Sequence, residues 1–169
     1  MYRVYPILIM VTLLLGSEPD ERGFIVNIGD MAPDFTMEYI TGEKVTLSDL
    51  RDKIVVLQFT ASWCSVCRLE MPHLEKDVWQ AFKDKGVILI GVDRDEPLET
   101  VVQFQKEMKT TYPLALDPGA DIFGLFADKK SGVTRNIVID QKGKIVFLTR
   151  LFEEHEYQAM IQVIKKLIK

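Results

Sequence analysis

Two almost unbroken apolar runs, Ile54-Val55-Val56-Leu57-Gln58-Phe59 and Val87-Ile88-Leu89-Ile90-Gly91-Val92, stand out from the alternating pattern around them. Such runs, rich in β-branched residues, are expected of strands covered on both faces. Between them Leu69, Leu74, Val78 and Phe82 recur at helical spacing within residues 64–85. The three segments predict a strand–helix–strand unit long enough to join parallel strands. Pro72 falls inside the helix and predicts a kink there. Upstream, alternating segments at 36–39 and 44–47, separated by Thr41-Gly42, predict a β-hairpin, with one turn at Ser48-Asp49-Leu50. Downstream, Pro97 suits the first turn of a second helix running to about residue 109. Residues 112–116 read as a short strand, and Asp117-Pro118-Gly119 opens a short helix to about residue 127. Two β-rich runs, 136–140 and 144–149, meet at Gln141-Lys142-Gly143 as a hairpin. The chain closes with an amphipathic helix over 153–169, whose apolar side carries Tyr157, Ile161, Ile164 and Ile168. The pattern is that of one α/β domain with a mixed sheet, over residues 29–169.

Length and charge narrow this further. A chain of 169 residues favours a single domain with an ample core. Its formal charge of −4, with no Lys/Arg stripe, argues against a nucleic-acid partner. The N-terminus has a different character. Arg3 precedes an apolar run at 7–15, followed by Gly16-Ser17 and the polar break Glu18-Pro19-Asp20-Glu21. That is a signal-peptide profile, shorter than the span of about 20 residues that crosses a bilayer. The usual A-x-A cleavage pattern is missing, so residues 1–17 are either a cleaved signal peptide or a retained membrane tether. A buried N-terminal strand or helix is the plainer alternative. Export to an extracytoplasmic, periplasm-like compartment is the expectation, and residues 18–28 form a lead-in without a clear element.

Against that background the chemistry concentrates at Trp63-Cys64-Ser65-Val66-Cys67, which holds both cysteines of the chain. They sit where the first apolar strand gives way to the helix. A cysteine there meets unpaired backbone N–H groups and the positive end of the helix dipole, which favour thiolate. Its pKa is expected to fall from about 8.5 into the range of roughly 3.5–7.5. The second cysteine, one turn later, can close a disulfide and release a bound partner. As a structural staple the pair would stabilise little, because the loop it closes is so short. Covalent haem attachment needs C-x-x-C-H, and Arg68 holds the histidine position. Zinc would require His73 or His155 to join the cysteines, and neither spacing forces this.

Four stretches carry a family resemblance: Gly29-Asp30-Met31-Ala32-Pro33-Asp34-Phe35, then Phe59-Thr60-Ala61-Ser62-Trp63-Cys64-Ser65-Val66-Cys67-Arg68-Leu69-Glu70-Met71-Pro72, Gly132-Val133-Thr134-Arg135-Asn136, and Ile137-Val138-Ile139-Asp140-Gln141-Lys142-Gly143-Lys144-Ile145. Together they resemble the exported TlpA/ResA-type thiol–disulfide oxidoreductases of the thioredoxin-like superfamily, relatives of the redoxin and AhpC/TSA group. The resemblance implies a thioredoxin-like fold with an N-terminal hairpin and an insertion between the second core strand and the loop facing the cysteines. It also implies roles. Cys64 would be the attacking thiolate, Cys67 the buried resolving cysteine, and Trp63 a shield that contacts partners. Glu70 matches a carboxylate placed near the resolving sulfur, although an exposed helix carboxylate is the plain alternative. Gln58 stands where thioredoxin has a buried acid, so acid–base help falls to Glu70 or water.

One departure is marked. The family has a cis-proline facing the cysteines, after a residue whose backbone pairs with the partner. Here Val133 precedes Thr134. A cis bond to a non-proline residue costs roughly 2.5–4 kcal/mol, so a trans bond is expected. The Thr134 hydroxyl could then bond a cysteine sulfur or the partner's backbone. The implied partners are a disulfide-bearing protein substrate and a membrane thiol–disulfide electron donor. No cofactor beyond the Cys64–Cys67 disulfide and no metal are implied, and the direction expected is reduction. Two other readings stay open: a non-catalytic partner-binding domain and a peroxiredoxin-like peroxidase. The latter lacks its motif, since Leu57 and Ala61 precede Cys64 where Pro and Thr belong.

Overall fold

The computed structural model describes residues 22–168. The two apolar runs become β3 (Ile54–Thr60) and β4 (Val87–Arg94), which pair in parallel. All seven residues of β3 are buried, as a strand covered on both faces must be. β5 (Leu114–Asp117) extends the parallel set, and β6 (Arg135–Ile139) and β7 (Ile145–Arg150) add an antiparallel hairpin to the free side of β3. The predicted N-terminal hairpin forms β1 (Thr36–Tyr39) and β2 (Lys44–Thr46), with β1 antiparallel to β5. The seven-stranded order is β2-β1-β5-β4-β3-β6-β7.

The helices are α1 (Ser65–Leu74), α2 (Leu98–Met108) and α3 (Glu154–Leu167). All three send side chains to one face of the sheet, where Met71, Leu74, Val101, Phe104, Tyr157 and Ile161 meet Ile54, Val56 and Leu89. The opposite face is covered without a regular helix. Phe24 and Val26 of the lead-in pack there with Phe123 and Phe126. Single bridges join Phe24 to Ala127 and Met31 to Lys144.

Two segments differ from expectation. The predicted helix over 117–127 is instead two 3-10 turns, Pro118–Ala120 and Phe123–Leu125. The Asp117 carboxylate accepts the Ile122 and Phe123 N–H groups at 2.8 Å, and Gly119 sits at φ +73°, so no α-helical ladder propagates. The predicted 64–85 helix is α-helical only to Leu74. Pro72 has no N–H for the Arg68 carbonyl, and the chain continues as a π-helix over Glu75–Gln80 and a 3-10 turn over Lys83–Lys85. Among the described residues no helix is long and apolar enough to cross a membrane. The signal or tether expected at residues 1–17 lies outside the described residues.

Candidate active site

β3 ends at Thr60, four residues turn, and α1 begins at Ser65, so its N-terminus points to the carboxyl end of the parallel strands. Cys64 is the N-cap of α1, with extended φ/ψ, and its Sγ accepts the Cys67 N–H at 3.2 Å. The two cysteines form a disulfide with Cα atoms 5.3 Å apart. Cys64 is 8% exposed and Cys67 fully buried, an asymmetry that suits an attacking and a resolving sulfur. Trp63 beside them is 64% exposed, a large apolar surface at the rim. The turn is clamped from behind. Ser62 donates both its N–H and its hydroxyl to the Glu96 carboxylate, while Arg68 Nε donates to the Ser62 carbonyl at 2.7 Å.

Thr134 faces the disulfide from the loop before β6. Its N–H donates to the Phe59 carbonyl at 3.1 Å, and its carbonyl accepts the Leu151 N–H at 2.9 Å. Both bonds fix it in the left-handed region at φ +67°, unusual for a β-branched residue. No peptide bond among the described residues is cis, so Val133–Thr134 is trans as expected. Thr134 Oγ1 lies 3.0 Å from both sulfurs. Neither sulfur of a disulfide carries a proton, so the hydroxyl is the donor. Val133 is buried, and its backbone makes no hydrogen bond to other backbone groups among the described residues.

Glu70 lies one turn beyond Cys67 and is 1% exposed, which replaces the plain reading of a solvated carboxylate. Asn136 donates to one oxygen at 2.6 Å and Gln58 to the other at 3.1 Å. Tyr112 in turn donates to Gln58 at 2.8 Å, and Asn136 also donates to Thr149. Burial pushes the Glu70 carboxyl up to about 7, against the Asn136 and Gln58 bonds that favour its charged form. A carboxyl poised there can take up or release a proton at neutral pH. Gly91 makes this arrangement possible. A Cβ at that position would run into the Leu114 side chain and come within 3.3 Å of the Tyr112 ring.

The structure therefore gathers Cys64, Cys67 and Thr134 in direct contact, with Trp63 and Val133 on adjoining backbone and Glu70 beneath. His73 goes elsewhere, packing on the Phe152 ring at 5.0 Å. Among the described residues no group of three or more His, Cys, Asp or Glu converges as a metal site. Asn136, Tyr112 and Glu96 have site roles that the sequence reading did not assign. The available signal was an amide interrupting an apolar strand: Gln58 in β3 and Asn136 in β6.

Comparison with known proteins agrees with this geometry. Residues 28–148 match the model of the AhpC/TSA family. The thiol-disulfide oxidoreductase ResA of a Bacillus cereus strain is 33% identical over 151 residues, covering 86% of this chain and 84% of its own. ResA of Bacillus subtilis is 30% identical over 141 residues, covering 81% and 77%. The solution structure of a putative protein disulfide isomerase from Bacteroides thetaiotaomicron superposes with TM-score 0.84 at 57% identity, over 86% of this chain and 92% of that one. A putative thiol:disulfide interchange protein DsbE from Chlorobium tepidum gives TM-score 0.73 at 28% identity, covering 85% and 99%. With a buried pair of exchange cysteines on a strand-to-helix turn, the chain belongs to the AhpC/TSA family, among its thiol–disulfide oxidoreductases of thioredoxin-like fold.

Proposed function

We propose that this protein reduces disulfides in protein substrates outside the cytoplasm, drawing electrons from a membrane thiol–disulfide donor. The observation that carries the reading is the unequal cysteine pair at the N-terminus of α1, with Cys64 reachable and Cys67 buried. In the reduced protein, the Cys64 thiolate attacks a substrate disulfide. A Cys64–substrate bond forms and one substrate thiolate leaves. Cys67 then passes its proton to Glu70 or water and attacks Cys64 Sγ. The Cys64–Cys67 disulfide forms, the second substrate thiolate leaves, and two electrons have moved to the substrate. A dithiol donor reverses these steps. During docking Trp63 supplies apolar contact, and the unengaged Val133 backbone pairs with the substrate chain. The apolar run at residues 7–15 supports export and the membrane-side donor.

A Cys67→Ser variant cannot resolve the first intermediate. It is expected to accumulate a mixed disulfide with an oxidised protein substrate, released by dithiothreitol, whereas Cys64→Ser traps nothing. Trapping by neither variant in a folded protein would leave a partner-binding domain as the better reading. The reduction potential decides direction. A value near or below about −250 mV, toward thioredoxin, supports a reductant, and one above about −180 mV reassigns the protein to disulfide formation or shuffling.

A further inference from the structure

The strongest unexplained feature is a buried carboxylate behind the cysteine turn. Asp93 ends the inner part of β4, opposite Thr60 of β3 and Leu116 of β5. It is fully buried, and neither carboxyl oxygen has a hydrogen-bond donor among the described residues. Its neighbour Val92 points into the core of the helix-free face, so Asp93 points to the face where Thr60 meets Met71 of α1. The side chain that acts on it most is another acid, Glu96. Both Glu96 oxygens are turned onto Ser62, at its N–H and its hydroxyl, directly before Trp63 and Cys64.

We infer that Asp93 is a positioning residue for the cysteine turn: buried without any other donor, it stays protonated and donates to Glu96, and that hydrogen bond keeps Glu96 seated on Ser62. An ionised Asp93 would be buried without a donor beside a second carboxylate, whereas a protonated Asp93 can hydrogen-bond to it. Among the described residues no cation is turned onto Asp93. Arg68, on α1, is committed to the Ser62 carbonyl and to Glu107 of α2 at 3.1 Å. Arg94 turns to the Ser131 and Lys129 carbonyls and to Asp95. Asp117, at the end of β5 on the other face of the sheet, adds a further negative charge near Asp93. Burial first, then Glu96 and Asp117, push the Asp93 carboxyl up to about 8. When the proton leaves, Glu96, which is only half-buried, can swing to water. Ser62 then loses the acceptor for two donors, and the Trp63-Cys64 backbone is released.

This deepens the proposed exchange reaction and rests on it for its purpose, but the test runs on oxidised protein, where no thiol titrates. In a Trp79→Phe background, Trp63 is the one indole left. Its emission, followed from pH 6 to 10, is expected to change with a midpoint near 8, as the Asp93 position implies. The same change is expected after Glu70→Gln, which removes the other carboxyl that titrates near neutrality. Asp93→Asn keeps a neutral donor toward Glu96 at every pH, so the transition should vanish while the emission stays at its low-pH value. Absence of a transition in the parent, or its persistence in Asp93→Asn, overturns the inference. Carboxyl-carbon NMR of the oxidised wild-type protein gives the same reading without a variant. An Asp93 signal titrating near 8 supports a protonated Asp93 donating to Glu96, and one titrating near its ordinary 3.8 overturns it.

Discussion

Thr134 occupies the place where relatives of this type are expected to carry a cis-proline, and its own geometry says why a proline cannot simply be restored. Proline holds φ near −65° and has no N–H. Thr134 sits at φ +67° and donates its N–H to Phe59. Instead of an imide ring, the sulfurs meet a hydroxyl 3.0 Å from each. In the reduced protein that hydroxyl can donate to the Cys64 thiolate, adding to the Cys67 N–H at the helix terminus. Stabilising the thiolate stabilises the reduced form and raises the potential. Thr134→Val keeps the β-branched shape and removes the donor. A hydrogen bond to a charged group contributes about 1.5–3 kcal/mol. At about 1.4 kcal/mol per 30 mV, the variant's potential is expected to fall by some tens of millivolts, about 30 mV at the lower end. The Cys64 pKa should rise by about one unit, read from the pH dependence of its alkylation. An unchanged potential and alkylation profile would show that the hydroxyl is only a packing group.

At the scale of elements, α1 does two things at once. Its N-terminus presents Cys64, and its buried side lays Cys67 and Glu70 against β3 and β6, which contribute Gln58 and Asn136. Glu70→Gln preserves the size of this contact but removes the group that exchanges a proton near 7. Resolution of the mixed disulfide is then expected to slow by on the order of 10²-fold, the lower end for general-base catalysis. Its rate should also lose an ascending limb with a midpoint near 7, while attack by Cys64 keeps its own pH profile. Stopped-flow resolution of a preformed Cys64 adduct separates the two steps. The same element shows what could be read in advance. The cysteine motif at a strand-to-helix junction, the parallel pair and both hairpins follow from periodicity and turn chemistry, which are local. Glu70 could not be placed by helix position alone, because its burial depends on two amides from strands distant in sequence. Asp93 and Glu96 could not be placed from local pattern, because the Ser62 donors that hold Glu96 lie some thirty positions earlier. The short helix expected after Asp117 failed for a similar reason: the Asp117 side chain captures the N–H groups a helix would need.

For the molecule as a whole, two buried acids on the helix-covered side of one sheet set how stability should vary with pH. Glu70 rises from 4.5 to about 7 and Asp93 from 3.8 to about 8 in the folded protein. A folded-state pKa above the unfolded one means that the native state holds the proton more tightly. Each acid's contribution is therefore complete below its unfolded value and is lost as pH rises through the folded one. The windows run from 4.5 to about 7 for Glu70 and from 3.8 to about 8 for Asp93. At about 1.36 kcal/mol per unit, Glu70 alone accounts for on the order of 3 kcal/mol across its window. The lowered acids Asp34, Glu75 and Glu107 act in the opposite sense, but only below about pH 4.5, where they titrate. Stability of the oxidised protein should thus peak near pH 5 and decline toward pH 8, the reverse of a protein whose acids are held ionised in salt bridges. Urea unfolding with the disulfide intact, at pH 5 and at pH 8.5, measures the difference. Glu70→Gln should make the decline below pH 7 shallower, leaving Asp93's share there, and should leave the part above pH 7 unchanged. A midpoint that rises from pH 5 to pH 8.5 would mean that neither carboxyl is protonated in the folded state. Glu70 would then be too weak a base to take the Cys67 proton, and the resolving step would rely on water.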